Sequence, residues 1–349
     1  MSDFRVRADE LERWTVRVLA EAGLRRNVAE LVADTLVQAN LRGVDSHGVI
    51  RVPVYLRRLR EGLLNRDPEP RVERSDGGVA LIDGDHGPGQ WAAVRATDLA
   101  VELASAHGIG AVGVRRSSHY GAAAFYVMRM AERGMIGFTT ANVEPDVVPF
   151  GGAEAALGTN PLAFAAAGSR GTFVLDMATS QVAMGRILLA RERGEELGEG
   201  WAVDAEGRPT RDANEAVSAV PLGGPKGYGL ALMVEVLGGV LPGANIASEV
   251  GRMYDDWDRP QDVGHFFLAL DPERMIGREA FRDRMDRLWD MLKAVPAAPG
   301  FEGVLVPGES EARTHAARSA GGIPIPEKIW RALEEEARVS SVALPEPEA

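Results

Sequence analysis

Hydrophobic and polar positions follow a helical period over the first sixty residues of the chain. Apolar side chains recur every three or four positions over residues 11–18 and again over residues 28–39, which is the spacing of one face of an amphipathic helix. Gly23 and Gly62 follow helical segments, at positions where glycine commonly ends a helix. The pattern predicts that this part of the chain is helical.

Beyond residue 78, short apolar runs alternate with further helical periods. The pattern predicts strands at residues 79–83, 109–114, 136–141, 172–176 and 265–270, and helices at residues 91–106, 122–133, 227–240 and 279–293. Residues 149–168 are crowded with Gly, Pro and Asn, which predicts loops where the backbone approaches another group closely. The Pro- and Glu-rich tail after Ser340 is expected to be loose.

Composition is that of an ordinary globular protein, with 45% hydrophobic and 26% charged residues. A length of 349 residues predicts one large domain or two interleaved ones. The formal net charge is -12, and because no run of Lys or Arg offsets it, nucleic acid is not expected as a partner. An anionic small molecule would have to bind through a local Arg or Lys.

Cysteine and targeting patterns narrow the possibilities further. The chain has no cysteine, which excludes disulfides, thiolate nucleophiles and Cys-ligated metals. The first residues are charged and lack the apolar core of a secretory signal. The most apolar stretch, residues 229–241, contains Glu235 and is shorter than the roughly 20 residues of a membrane span. A cytoplasmic location with no membrane partner is expected.

Two segments match dinucleotide-binding glycine patterns. The glycines of residues 108–113 follow a helix and lead into a strand, the reverse of the order that aims a helix N-terminus at pyrophosphate. Residues 87–92 have the right order, but Pro88 separates the glycines, and the next strand ends in Arg115 and Arg116 where an NAD enzyme would have an acid. A tight structural turn is the favoured interpretation.

Hydrolase and metal chemistry are disfavoured. Ser46 and His47 could be a nucleophile and its base, but neighbours in a helix project about 100° apart and would not face each other. His47, His119 and His265 could ligate a metal, but they lack the spacing of known ligand sets. No catalytic metal is predicted.

A more promising constellation lies at positions 47, 51 and 55. If the segment is helical, His47, Arg51 and Tyr55 share one stripe, although Pro53 is comfortable only in a first helical turn, so part of the stripe is expected to be loop. Oxidising an α-hydroxy acid requires a base for the hydroxyl proton and a cation for the carboxylate. The alternative is a surface helix with solvated charges.

Several longer motifs carry a resemblance to a known family. Residues 41–62, 117–121, 148–152, 158–162, 175–180, 224–229 and 307–309 resemble, in order, the non-Rossmann malate/L-lactate dehydrogenase family. The resemblance implies an α/β (α+β) fold of the sulfolactate dehydrogenase type, with a mixed sheet and a helical domain. It implies a discontinuous helical and substrate domain (residues 1–118 and 252–349), a cofactor domain (residues 119–251) and a homodimer with the active site near the subunit boundary.

The resemblance also implies roles for the residues of the stripe. His47 is expected to be the proton donor and acceptor, with Ser46 beside it, while Arg51 and Tyr55 bind the substrate. His119 corresponds to a second histidine that some members use as the acid–base group. The sequence ranks His47 first without excluding His119.

The same resemblance implies a nicotinamide cofactor, NAD or NADP. Its expected binding residues are Asp176, Met177, Ala178, Lys226, Gly227, Pro307, Gly308 and Glu309. A Lys in a Gly-lined turn is a credible contact for pyrophosphate or ribose. Outside the Rossmann fold no simple acidic-residue rule separates NAD from NADP.

Within the family, residues 148–160, 201–204 and 253–256 most resemble the ureidoglycolate dehydrogenases, which oxidise ureidoglycolate to oxalurate with NAD. Those enzymes tend to have a Ser-Asp pair where this chain has Val143 and Glu144, so Glu144 is expected at the substrate and the substrate stays open. Malate, L-lactate and sulfolactate are alternatives, as is NADPH-dependent reduction of a 2-oxo or cyclic-imine acid. A ligand-binding relative without turnover is the alternative from another class.

Overall fold

A seven-stranded mixed sheet forms the centre of the computed structural model, which describes residues 3–347 except for the side chain of Glu192. In spatial order its strands are β2 (Arg71–Asp76), β3 (Val79–Asp83), β4 (Ile109–Ser117), β11 (Val263–Leu270), β5 (Ile136–Ala141), β6 (Leu162–Ala167) and β7 (Thr172–Met177). Strands β3 and β4 run parallel, and the other neighbours in this sheet are antiparallel. The mixed sheet predicted from the sequence is confirmed.

Two smaller sheets lie outside this centre. Strands β1 (Phe4–Val6) and β12 (Ile323–Ile325) pair antiparallel. Strands β8 (Ala202–Val203), β9 (Pro209–Thr210) and β10 (Ser218–Ala219) form a three-stranded sheet in the order β10-β8-β9.

The helices surround the sheets. They are α1 (Ala8–Glu21), α2 (Arg26–Leu41), α3 (Val52–Arg60), α4 (Gly89–His107), α5 (Ala124–Glu132), α6 (Met184–Arg193), α7 (Pro225–Glu235), α8 (Arg278–Lys293), α9 (Glu309–Gly321) and α10 (Glu327–Ser340). Helix α7 continues as a π-helix over Val236–Val240. Short 3-10 turns lie at Asp45–His47, Val49–Arg51, Ala247–Glu249 and Pro272–Arg274.

Local sequence explains most of these elements. The helical periods over residues 11–18 and 28–39 became α1 and α2, and Gly23 and Gly62 take left-handed φ values of 92° and 73° behind helices, which glycine adopts without a steric penalty. The predicted strand at residues 79–83 and the one at residues 136–141 match β3 and β5. Hydrophobic periodicity was therefore a sufficient signal for these elements.

Three hydrophobic clusters stabilise the fold. One buries α4 and α5 against the seven-stranded sheet, and includes Tyr126 and Phe267. A second joins α1, α2, α3, α10 and the β1–β12 pair around Trp14. A third, smaller cluster lies around Ile187 and Leu197. The second cluster is mostly helical, as the resemblance implied.

Both glycine patterns are used for packing within the chain. A Cβ on Gly110 would lie 2.0 Å from the carbonyl oxygen of Ala100, and one on Gly89 would lie 2.0 Å from that of Ser118. The Gly89 N–H also donates to the Ser118 hydroxyl (2.9 Å). Because residues of the chain itself fill the space at the start of α4, this region supports the interpretation of a structural turn.

Several elements were not predicted from the sequence. Strand β6 lies inside the Gly- and Pro-rich segment of residues 149–168, and strands β1 and β2 and helices α6, α9 and α10 were also missed. The expectation of a loose tail was wrong for the described residues, because the Trp14 indole donates to the Val342 carbonyl (3.1 Å) and Leu344 packs on the helical cluster.

The predicted domain division passes through the central sheet. Strand β11 pairs with β4 on one side and with β5 on the other, so strands from both predicted domains are hydrogen-bonded to one another. The division stays a prediction. Among the helices of residues 3–347, none is both long enough and apolar enough to cross a membrane.

Candidate active site

Two histidines from distant parts of the chain stack on each other. His47 lies in the 3-10 turn after α2, and His119 follows the end of β4. Their ring centroids are 5.5 Å apart, and the ring planes are inclined by 23°. The structure therefore brings together the two candidates between which the sequence did not choose.

The predicted stripe is part loop and part helix, as Pro53 indicated. His47 and Arg51 lie in consecutive 3-10 turns, and α3 begins at Val52 with Pro53 in its first turn. The Tyr55 hydroxyl, buried on α3, lies 2.6 Å from Nδ1 of His119. The side chains at positions 47, 51 and 55 thus converge on one site without sharing one α-helical face.

Ser46 contacts His47 directly. Its hydroxyl lies 2.9 Å from Nδ1 of His47, so the argument that these neighbours could not face each other was wrong. The nearby Asp45 carboxylate accepts hydrogen bonds from Arg318 (2.7 and 3.0 Å) and from Asn40 (2.6 Å). These hydrogen bonds of Asp45 stabilise the 3-10 turn that contains His47.

Arg51 is held from two sides. Its Nε donates to the Ser46 carbonyl (2.8 Å) and its Nη1 donates to the Tyr254 hydroxyl (2.6 Å). The guanidinium also influences the titration of both histidines and of Glu144, which places its charge beside all three. Such a cation can bind the carboxylate of a small acid.

The segment of residues 252–259 forms another wall of the site, and a buried arginine fixes it. Arg58 on α3 is 1% exposed and donates to the carbonyls of Met253 (3.1 Å), Asp256 (3.0 Å) and Arg259 (3.2 Å). Glu144 accepts a hydrogen bond from the Met253 N–H (3.2 Å). Arg58 and Glu144 together hold the segment from which Tyr254 reaches Arg51.

Sequence reasoning missed four residues of this site: Arg58, Gln90, Tyr254 and Gln261. Gln90 Nε2 donates to the Tyr55 hydroxyl (3.0 Å), and the backbone N–H of His119 donates to Gln261 Oε1 (3.2 Å). The only available signal was polarity within apolar surroundings, as for Gln90 in the first turn of α4. That signal does not distinguish buried from exposed side chains.

Electrostatics keep both histidine rings neutral. Burial, followed by the charge of Arg51, lowers the pKa of His47 from 6.5 to about 3. The same two causes, with His47 and His265 adding to them, lower the pKa of His119 well below its ordinary value. A neutral imidazole has one ring nitrogen with a free lone pair, so at neutral pH each ring can accept a hydrogen bond from a hydroxyl group.

The residues expected at the cofactor form a second group next to the histidines. Asp176, at the end of β7, accepts a hydrogen bond from the Ala124 N–H (2.8 Å) at the start of α5. The Val174 N–H donates to the Pro307 carbonyl (2.9 Å). Pro307 therefore lies beside β7, the strand that contains Asp176 and Met177.

Lys226 begins α7 beside the end of β7. The Leu222 N–H donates to the Thr179 carbonyl (2.9 Å), and the Gly227 N–H donates to the Leu222 carbonyl (2.8 Å). The ammonium of Lys226 is exposed at the helix N-terminus, where positive charge and free N–H groups favour phosphate. The buried Nε of Arg42, whose charge acts on Asp176, has no hydrogen-bond partner. The Lys226 ammonium, the N–H groups at the start of α7 and the Nε of Arg42 are donors that fit the phosphate groups of a dinucleotide.

Three of the expected cofactor residues are also used by the fold. A Cβ on Gly227 would lie 2.3 Å from the Leu222 carbonyl oxygen, and one on Gly308 would lie 2.9 Å from Val174 Cβ. The Glu309 carboxylate binds Lys293 (2.7 Å) and the Val306 N–H (2.6 Å). Contacts from these positions to a cofactor would therefore come from the backbone.

His265 lies behind the site rather than in it. It is fully buried on β11, with Nε2 2.9 Å from the Ser117 hydroxyl, and it stacks on Tyr120 with 4.6 Å between ring centroids. Burial lowers its pKa to about 3. In the part of the chain that the structure describes, no three His, Cys, Asp or Glu side chains are grouped so as to hold a metal ion.

Comparisons with known proteins cover almost the whole chain. The profile described as "Malate/L-lactate dehydrogenase" matches residues 6–334. A malate dehydrogenase from Pyrococcus abyssi is 41% identical over 344 residues (96% of this chain, 94% of the relative), and a ureidoglycolate dehydrogenase (NAD(+)) from Escherichia coli K12 is 39% identical over 316 residues (90% of each). The structure of sulfolactate dehydrogenase from Methanocaldococcus jannaschii superposes with a TM-score of 0.92 at 36% identity, covering 97% of this chain and 98% of that one.

We expect the burial of His265 to make folding stability depend on pH. The unfolded chain binds a proton at this residue below about pH 6.5, whereas the folded chain does so only below about 3. The free energy of unfolding should therefore fall by up to about 1.4 kcal/mol per pH unit as the pH decreases between these values. Urea unfolding of the wild type and of His265→Gln over this range should show a shallower slope for the variant. His107→Gln, on the exposed end of α4, is the control and should retain the full slope; equal slopes for all three proteins would contradict the prediction.

Proposed function

The chain belongs to the malate/L-lactate dehydrogenase family, and from that premise we propose that it oxidises a small 2-hydroxy acid to the 2-oxo acid with NAD. The observation that carries the proposal is the stacked pair His47 and His119 beside the Arg51 guanidinium. A base for the hydroxyl proton and a cation for the carboxylate are the two groups that this oxidation requires of the protein.

In the proposed reaction Arg51 binds the substrate carboxylate and orients the α-carbon. His47 takes the hydroxyl proton on a free ring nitrogen, with the Ser46 hydroxyl against its Nδ1 (2.9 Å). As the O–H bond breaks, the C=O bond forms and the hydrogen on the α-carbon leaves as hydride with its electron pair. Bound NAD supplies the acceptor for that hydride. The products are the 2-oxo acid, NADH and a proton.

We assign cofactor binding to Asp176, Met177, Ala178, Lys226, Gly227, Pro307, Gly308 and Glu309. The adjacency of β7 to Pro307 and the position of Lys226 at the start of α7 support this assignment. NAD rather than NADP is proposed because the name of the Escherichia coli ureidoglycolate relative specifies NAD(+).

The substrate proposed is ureidoglycolate. Glu144 places a buried carboxyl within the field of Arg51, and its oxygen already accepts the Met253 N–H. The N–H groups of a ureido substituent can donate to such an acceptor. Malate or sulfolactate would instead bring a second anion towards it, which costs free energy in a partly desolvated site.

The quaternary structure proposed is a homodimer. Helix α7 and the π-helix that follows it leave Leu232, Val236 and Val240 exposed at a spacing of four residues, with Met233 and Leu241 beside them. Apolar patches of this kind usually mark an interface. A cytoplasmic location is also part of the proposal, and cell fractionation tests it.

Nicotinamide absorbance, followed with the purified protein, tests the function. NAD and NADP are each combined with ureidoglycolate, malate, L-lactate and sulfolactate, and the corresponding oxo acids and a cyclic imine are tested with NADH and NADPH. Turnover of ureidoglycolate with NAD is expected. Turnover of a different acid would refute the substrate but not the chemistry, whereas tight NADH binding with no turnover in either direction would indicate a non-catalytic binder.

Replacing each histidine by asparagine should separate their roles. We expect His47→Asn to lower kcat for oxidation by roughly two to four orders of magnitude, because the proton acceptor is lost, while NADH binding persists. His119→Asn should be impaired less in this direction. Initial rates and NADH fluorescence titration measure the two effects. Unchanged turnover in both variants would show that the catalytic assignment is wrong.

An acidic substitution in the exposed apolar patch on α7 and the π-helix that follows it should disrupt the dimer. Val236→Glu places a charge within the proposed interface, and we expect it to shift the protein from dimer to monomer in sedimentation velocity, because burying an unpaired carboxylate is costly. Val339→Glu, at an isolated position on α10 with similar exposure (53% against 52%), is the matched control and should remain dimeric. A monomeric wild-type protein would contradict the proposal.

A further inference from the structure

A buried chain of hydrogen bonds runs from Gln90 through Tyr55 to His119. Gln90 Nε2 lies 3.0 Å from the Tyr55 hydroxyl oxygen, and that oxygen lies 2.6 Å from Nδ1 of His119. Gln90 is 0% exposed and Tyr55 is 5% exposed, so water does not compete for these bonds. The chain ends on Nδ1 of the His119 ring.

The direction of each hydrogen bond in this chain follows from the first one. An amide nitrogen only donates, so the Tyr55 oxygen accepts from Gln90 and its single hydrogen is left for His119. The Gly121 N–H also points at Nδ1 of His119 (3.4 Å). Nδ1 is therefore the acceptor nitrogen, and the proton of the neutral ring resides on Nε2.

The Gln90 amide donates to Tyr55 and leaves its own oxygen unpaired. Gln90 and Arg58 line the same small cavity, of about 10 Å³, together with Tyr55 and His119. Two buried polar atoms on these lining residues have no partner: the Oε1 acceptor of Gln90 and the Nε donor of Arg58. An amide oxygen is favoured in the field of a guanidinium, and the cavity is close to the smallest that admits one water molecule between such atoms. The bond from Nε2 to Tyr55 leaves Oε1 for such an interaction.

We propose that Gln90 is a positioning residue that, through Tyr55, fixes His119 in the Nε2–H tautomer and so makes it a hydrogen-bond donor to the substrate oxygen. The inference rests on the proposed dehydrogenase function for its catalytic meaning. It assigns different tasks to the paired rings. His119 donates to the oxygen that is alcohol on one side of the reaction and carbonyl on the other, and His47 alone has a free nitrogen for the hydroxyl proton.

Nitrogen-15 NMR of the histidine rings tests the tautomer directly, without substrate or cofactor. A ring nitrogen that carries hydrogen resonates well upfield of one that does not, so the pattern of two-bond couplings to the ring protons identifies the protonated nitrogen. The chain has 6 histidines, and the spectrum of His119→Asn assigns the signals of interest. At neutral pH the wild type is expected to show Nε2 of His119 protonated and Nδ1 unprotonated. The opposite tautomer would overturn the proposal.

Two substitutions at Gln90 separate the proposed role from simple packing. In Gln90→Glu the carboxylate can only accept, so the Tyr55 hydrogen turns towards it and Nδ1 of His119 must donate to Tyr55; the tautomer should reverse. In Gln90→Leu no donor to the Tyr55 oxygen remains, so Tyr55 can either donate to Nδ1 of His119 or accept from it, and both tautomers should be populated. Gln38→Glu, whose side chain neighbours His315 outside the site, is the matched control and should leave the His119 signals unchanged. A His119 tautomer that is unaltered in Gln90→Glu would overturn the proposal.

Activity provides a second measurement that distinguishes a positioning role of Gln90 from simple packing. Gln90→Glu should lose roughly 10²-fold in kcat for carbonyl reduction, because the donor to the carbonyl oxygen is missing, with cofactor affinity unchanged. Gln90→Leu should lose much less, and thermal unfolding of both variants checks that they are folded. If the tautomer reverses in Gln90→Glu but the wild type shows no turnover, the proposed function is contradicted and the role of Gln90 in setting the tautomer is not. Full activity in a Gln90→Glu variant whose tautomer is reversed would refute the role of the tautomer in catalysis.

Discussion

The burial of one guanidinium organises the site. Arg58 is almost fully inaccessible, yet backbone carbonyls of residues 252–259, rather than a carboxylate, accept its hydrogen bonds. A buried cation is tolerated only when most of its donors are satisfied. Both terminal nitrogens of Arg58 bond to this segment, so the fold must bring the segment onto α3. Once the segment is there, Tyr254 reaches Arg51 and Glu144 reaches Met253. The position of residues 252–259 beside Arg51 thus follows from the hydrogen-bonding needs of one buried charge.

Local patterns were sufficient for those parts of the fold that depend on local chemistry. The 3.6-residue period of α1 and α2, the apolar runs of β3 and β5 and the helix-ending glycines are each determined by neighbouring residues. The resemblance of longer motifs to the family also predicted which residues form the site. The structure brings four of them together: His47, Arg51, Tyr55 and His119. Their catalytic roles remain proposals.

What the sequence did not predict depends on distant partners. Gln90 and Arg58 carry no periodic signal, because their importance arises from a cavity between α3 and the start of α4. Strand β6 is recognised only by its pairing with β5 and β7. The contact between Ser46 and His47 was misjudged because only the directions in which the two side chains leave the backbone were considered, and not the torsions within the side chains.

The position of β11 has a consequence for the order of events during synthesis. This strand, residues 263–270, lies between β4 and β5, which are not otherwise neighbours in the sheet. Until about three quarters of the chain has left the ribosome, both of those strands have an open edge, a condition that favours pairing with other chains. The segment held by Arg58 lies just before β11 in the sequence, so the nascent chain cannot complete either its central sheet or the part of the site that contains Tyr254 until this region has emerged.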